Sequence, residues 1–221
     1  MVGLNLFNRL NMTLVDTAFK IRRVQEMVPT ITSTLADLHA LAFPGFFLTS
    51  LGRTFLCQLY AGFISDPEGI CMVAEENGAI IGLAAGTIAP WSFFRKQVRR
   101  KWFSFALASV PGLLRNFPFA ARKCLGALFY RGETPGDIPD AALLSSLAVL
   151  PATRSKGVGQ ALVRAFADEV HQRGGKAIYL ATDEAENENA NRFYAKCGFK
   201  LLDTFKRPGH RTMNRWIMRL T

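Results

Sequence analysis

Side chains fit for metal or redox chemistry are scarce in this 221-residue chain. Its three histidines (His39, His171 and His210) lie far apart, and no metal set is expected from them. Its four cysteines (Cys57, Cys71, Cys124 and Cys197) lack the short spacings of a zinc site or a redox pair. They read as reduced thiols, and with no secretory signal the expected setting is cytoplasmic. Acid is missing from one whole stretch. Between Trp91 and Arg131 stand nine basic residues (Arg95, Lys96, Arg99, Arg100, Lys101, Arg115, Arg122, Lys123 and Arg131) and no Asp or Glu, against a net charge of +10 for the chain. The stretch also holds seven of the 18 phenylalanines and two of the three tryptophans. Its longest uncharged run, 102–114, is too short to cross a bilayer and contains Pro111. It carries no recognised nucleic-acid motif, and charge alone would give only salt-sensitive, nonspecific binding. A nucleic-acid partner is therefore not expected.

The length suits one domain with a sizeable core, and a hydrophobic content of 49% excludes a disordered chain. The expected order begins with a strand over 21–27, a helix capped by Thr30 or Thr32 and ended by Pro44-Gly45, and a second helix over 49–64. Runs at 70–75 and 80–88 read as strands, joined by the hairpin signal Asn77-Gly78. Residues 91–140 interrupt the pattern as an insert, where Pro111 and Pro118 predict two or three short helices. Strands follow at 143–150 and 177–182, then at 199–205 and 213–220. Helices fall at 158–173 and 190–196, the first with apolar residues on one face and stopped by Gly174-Gly175. These elements predict an α/β (α+β) protein, one domain over 1–221, with a mixed sheet of about seven strands flanked by helices.

Arg154-Ser155-Lys156-Gly157-Val158-Gly159 joins a strand to a helix N-terminus. Such a turn suits a phosphate: glycines admit close approach, and the first helical amides have no internal acceptor. Arg154 and Lys156 add cationic donors. A nucleoside-triphosphate loop is excluded, because Gly159 is followed by Gln160-Ala161 rather than Lys-Ser or Lys-Thr. A dinucleotide fingerprint is excluded by Leu162 at its third small position and by the few strand-helix units left downstream.

A second motif follows about thirty residues on: Asn187-x-x-Ala190-x-x-x-Tyr194-x-x-x-Gly198-Phe199. With Arg154-x-x-Gly157-x-Gly159, and Val149 five residues before the arginine, the chain resembles the GNAT superfamily of acyltransferases. The resemblance is specific over 141–201, topological over 20–90 and absent over 91–140. It implies a GNAT-like, mostly antiparallel sheet with the basic insert between the third and fourth strands. It also implies acetyl-CoA as cosubstrate, without a metal, and acetyl transfer to an amine of a small-molecule or glycan-linked acceptor by direct attack on the thioester.

The resemblance assigns the coenzyme A diphosphate to the amides from Ser155 through Lys156, Gly157, Val158, Gly159 and Gln160 to Ala161. It runs the pantetheine arm along Leu147, Ala148 and Val149, with the Val149 amide toward the thioester oxygen. Such a preorganised donor is worth about 3 kcal/mol. Asn187 and Ala190 are carried over as cofactor contacts; a helix N-cap is the structural alternative for Asn187. Tyr194 is carried over as the acid for the leaving thiolate. The glutamate that some family members carry six residues before the Val149 position is replaced here by Leu143. Ser145 is expected on one strand face with Leu147 and Val149, and Asp140, Glu133, Glu75, Glu76 and Asp183 are carboxylates of which none stands out. The insert reads as a pocket lid, a site for an anionic acceptor, or a peripheral contact with an anionic membrane through 91–131. A homodimer is compatible with all of these. The alternative function is a coenzyme-A-binding sensor or interaction module without turnover.

Overall fold

The structure, a computed structural model, describes residues 19–97, 99, 140–154, 156–185, 187–207 and 211–220. Strand β1 (Lys20–Arg23) leads to helix α1 (Pro29–Ala42), the short α2 (Phe47–Ser50) and α3 (Arg53–Ser65). Hairpin strands β2 (Gly69–Glu76) and β3 (Ala79–Thr87) follow, then helix α4 over 90–97. After the basic stretch come β4 (Ala141–Val149), a 3-10 turn (Pro151–Thr153), α5 (Val158–Gln172), β5 (Ala177–Asp183), α6 (Glu188–Lys196), β6 (Lys200–Arg207) and β7 (Arg211–Arg219). The seven strands form one sheet in the order β1-β2-β3-β4-β5-β7-β6. Every neighbouring pair is antiparallel except β4 and β5. The mixed, mostly antiparallel seven-stranded sheet is the predicted one. The short helices predicted inside the insert lie outside the described residues.

Two local readings are corrected. The predicted helix over 49–64 is two helices, because Gly52 at φ 94° breaks it between α2 and α3. Neither Thr30 nor Thr32 caps α1. Pro29 opens it, a position where a missing amide proton costs nothing, and the Thr32 hydroxyl donates back to the Pro29 carbonyl. The Asn77-Gly78 hairpin forms as expected, with both residues at positive φ (51° and 78°).

The core lies on both faces of the sheet. On one, α5 packs Val158, Leu162, Phe166 and Val170 over Ile70, Ala84, Ala142, Leu144 and Ile178, with α6 beside it through Phe193 and Tyr194. On the other, α1, α3 and α4 place Leu35, Leu38, Tyr60, Phe63 and Phe93 over Cys71, Val73, Leu83 and Ala148. At about 25 cal/mol per Å2 of apolar surface removed from water, each such large side chain adds roughly 1.5–3 kcal/mol. The far end of α5 is pinned by Arg173, whose guanidinium binds Glu169 at 2.6 Å and donates to the Pro67 and Gly69 carbonyls.

Alternation fails at one place in β4. Ser146 pairs with Ala85 but Leu144 pairs with Gly86, so Ser145 is an extra residue, a β-bulge. Ala142 and Leu144 lie on the α5 face before it, and Leu147 and Val149 after it, with Ala148 on the opposite face. Ser145, the extra residue, is half-buried like Leu147 and Val149, whereas Ser146 and Ala148 are buried.

Candidate active site

Strands β4 and β5 are nine and seven residues long, yet they pair only at Ala141–Leu143 with Ala177–Tyr179. Past the bulge they part. The β5 side is served by β7 along its whole length, from Ala177–Arg219 to Asp183–Met213. The β4 side, Leu144 to Val149, keeps β3 on one edge, and among the described residues no strand pairs with the other. A strand edge of this kind offers backbone donors and acceptors to an extended ligand. Leu147, Ala148 and Val149 all lie on it, with Leu147 and Val149 half-buried and Ala148 buried.

The loop at the end of β4 delivers α5 to the mouth of this gap. Leu150 donates its amide to the Ile81 carbonyl at 2.9 Å, and the Thr153 hydroxyl closes the 3-10 turn on the Leu150 carbonyl at 3.0 Å. Gly157 then sits at the N-cap with φ 79° and ψ 0°, a left-handed conformation that disfavours any side chain. Among the described residues no side chain caps α5, and no acid occupies its first turn. The first amide to find its helical acceptor is that of Ala161, on the Gly157 carbonyl. The amides of Val158, Gly159 and Gln160 therefore have no partner within the helix, and the positive end of the helix dipole faces the same way. Arg154 is exposed and forms no ion pair among the described residues, whereas Lys156 lies 3.2 Å from Glu76 at the end of β2. Ser155 lies outside the described residues.

Gly159 has a packing role. A Cβ there would stand 3.1 Å from the Phe193 ring and 3.8 Å from Val149. The end of β4, the first turn of α5 and the inner side of α6 thus meet around this glycine. Helix α6 brings Tyr194, half-buried between the Phe193 and Phe199 rings at centroid distances of 5.2 and 5.7 Å. Burial raises its phenol above the ordinary tyrosine value, so the group stays protonated through neutral pH. Ala190 lies half-buried in the first turn of α6. Asn187 occupies the N-cap position, but its side chain makes no cap hydrogen bond.

Several residues of the site region had no sequence motif to announce them. Trp216 on β7 donates to Thr182 on β5 at 3.0 Å, and the Thr182 hydroxyl donates to Asn191 on α6 at 2.8 Å. This chain fixes the helix that carries Tyr194. On the opposite face, His39, Tyr60 and Ser146 form a second buried polar chain. Only a three-dimensional register could have paired residues so far apart. Among the candidate carboxylates, Glu75 is bound by Arg22 at 2.6 Å and held below its ordinary value by that contact. Glu76 is bound by Lys156, Asp140 is exposed before β4, and Glu133 lies outside the described residues. The place of the family glutamate is filled by Leu143, buried in an apolar cluster with Ala177, Tyr179 and Ile217.

Residues 121–199 match the Acetyltransferase (GNAT) family. No curated protein sequence matches the chain. Solved structures with the same fold are numerous. A GNAT-family protein from Desulfovibrio desulfuricans superposes with a TM-score of 0.59 at 14% identity, covering 92% of this chain and 99% of its own. An aminoglycoside 6'-N-acetyltransferase complexed with coenzyme A gives 0.59 at 16% identity, over 90% and 96%. The ribosomal-protein-S18-alanine N-acetyltransferase from Escherichia coli gives 0.55 at 15% identity, over 92% and 94%. The likeness to these structures shows the fold, and the family match over 121–199 takes in both the glycine-rich loop and the tyrosine helix.

Proposed function

We propose that the protein transfers an acetyl group from acetyl-coenzyme A to an amine of a small-molecule or glycan-linked acceptor. One observation carries the reading: the unpaired half of β4 runs directly into an uncapped, acid-free helix N-terminus. A diphosphate suits the amides of Val158 to Ala161, with Arg154 and Lys156 adding charge. An amide-bearing arm suits the edge from Leu147 to Val149, as an added strand would. Acetyl-CoA supplies an activated acyl carbon and a thiolate leaving group. The Val149 amide is placed to stabilise charge on the thioester oxygen. Tyr194 stands on the third side. Its raised pKa suits it to hold a proton against the departing sulfur, as a hydrogen-bond donor, more than to release that proton early. Asn187 has a side chain free of the capping role and serves as a polar contact for the cofactor. Ser145 at the bulge is a further polar group of the acceptor side. Deprotonation of the amine is assigned to water rather than to a carboxylate at position 143.

The test is coenzyme A release across a panel of amino sugars, aminoglycosides, polyamines and peptides. Acceptor-dependent release is expected, and Tyr194→Phe should lower turnover about ten- to a thousandfold while coenzyme A still binds. Tight binding with no turnover of any acceptor would instead favour the non-catalytic coenzyme-binding module.

The chain is read as one domain with the 91–140 segment as its insert, in a cytoplasmic setting. Helix α4 favours a peripheral role for that insert. Lys96 and Ser92 are engaged by Glu68, at 2.8 Å for the lysine, which docks one side of α4 on the start of β2. Trp91, 48% exposed, and the exposed Arg95 and Arg99 follow at four-residue spacing on another side. An aromatic and two arginines in a row suit an anionic membrane surface. Among the described residues, no helix is long and apolar enough to cross a membrane. Flotation with anionic vesicles at low salt should carry the protein upward, and flotation with neutral vesicles should not.

A further inference from the structure

Ser146 is the inner residue of the β4 bulge. It is buried, 5% exposed, and pairs with Ala85 of the α1/α3 face. Its hydroxyl hydrogen-bonds to the phenol of Tyr60 on α3, which is fully buried. The same phenol lies 2.7 Å from Nδ1 of His39 on α1. Burial holds His39 neutral, with its pKa pushed down to about 4. With that ring neutral, the proton order Ser146 to Tyr60 to His39 satisfies both contacts. Two helices thus reach one bulge through polar groups set in apolar surroundings, where a satisfied network specifies a single geometry.

We propose that Ser146, held by Tyr60 and through it by His39, is a positioning residue for the cleft: the buried chain fixes the β4 bulge and so decides which face and edge Leu147 to Val149 present. The proposal rests on the acyl-coenzyme-A reading of that cleft. A bulge leaves one residue outside the ladder, and without an anchor the strand can regularise. A one-residue slip reverses every side chain beyond it. Leu147 and Val149 would then turn toward α1 and α3, and Ala148 toward α5. The backbone edge facing the β4/β5 gap would shift with them, although no residue of the phosphate loop had changed.

Three variants test this: Ser146→Ala, Tyr60→Phe, and His39→Asn, whose side-chain oxygen keeps an acceptor near the place of Nδ1. The readouts are the Kd for coenzyme A, kcat and KM for acetyl-CoA and acceptor, and ligand-free amide exchange over 144–149. Ser146→Ala and Tyr60→Phe should each lower kcat/KM for acetyl-CoA about ten- to a hundredfold, weaken coenzyme A, leave the acceptor KM unchanged and speed exchange over 144–149. The double variant should be no worse than either single one, and His39→Asn should be milder. Ser146→Ala leaves the Tyr60–His39 contact in place, so it carries the test alone if Tyr60→Phe does not fold. Wild-type coenzyme affinity and exchange in Ser146→Ala would overturn the proposal, as would fully additive losses in the double variant. Failure of the wild-type protein to bind coenzyme A would overturn the acyl-coenzyme-A reading and this inference together, which separates it from a silent Ser146→Ala in a binding-competent protein.

Discussion

The two halves of β4 carry similar side chains and do different work. Residues 141–143 pair with β5, Leu143 pairs with β3 as well, and Ala141, Ala142 and Leu143 are all buried. Beyond Leu144 the strand keeps β3 but loses β5, and exposure alternates from Ser145 to Val149. The inner half is core, with its β5 edge paired. The outer half has a ladder with β3 on one edge, and among the described residues no strand pairs with the other. The difference lies in the bulge at Ser145-Ser146 and in the divergence of β5. The proposed site begins where pairing with β5 stops, so substitutions that alter pairing or the loop just beyond it should separate the two halves.

The largest effect is expected at the junction of the outer half with α5 and α6. Gly159→Leu would drive a side chain into the Phe193 ring and Val149, and overpacking of that kind costs about 1–3 kcal/mol. Calorimetry should find coenzyme A binding lost, with the inner half of β4 still protected from exchange. Acidification tests the opposite face. His39 has a folded pKa of about 4, below the ordinary 6.5. Between those values the unfolded chain binds the proton more readily, so stability is complete above about pH 6.5 and declines as pH falls toward 4. The loss attributable to this group reaches about 3 kcal/mol, and denaturant melts of wild type and His39→Asn should diverge across that window. Gly157→Ala should cost roughly 1–2 kcal/mol through its left-handed backbone, read as a lower Tm and a weaker coenzyme site. The smallest effect belongs to Arg154→Ala at the exposed rim. It should weaken coenzyme A by about 0.3–1 kcal/mol and flatten the salt dependence of binding, since exposed charge is screened.

Much of this was legible from sequence where a local pattern has one structural meaning. Asn77-Gly78 announced its hairpin, and the apolar face from Val158 to Val170 announced α5. The Gly157 turn and the Tyr194 motif stood in the order and spacing that the GNAT resemblance required. Legibility ended where geometry depends on partners distant in the chain. Gly52 could not be told from a tolerated helical glycine. The bulge left no mark in Leu143-Leu144-Ser145-Ser146, because its cause is the register against Ala85 and Gly86. For the same reason Gly159 read as a phosphate-approach glycine, and only the fold revealed the Phe193 ring against it. His39 looked like an isolated histidine until α1 and α3 laid it beside Tyr60.

The most direct measurement is backbone amide exchange with and without coenzyme A. The account predicts ligand-dependent protection over 144–149 and 156–161, with 141–143 already protected in its absence and β6 unchanged. Coenzyme A binding that leaves 144–149 and 156–161 unprotected, or that protects another region instead, would contradict it.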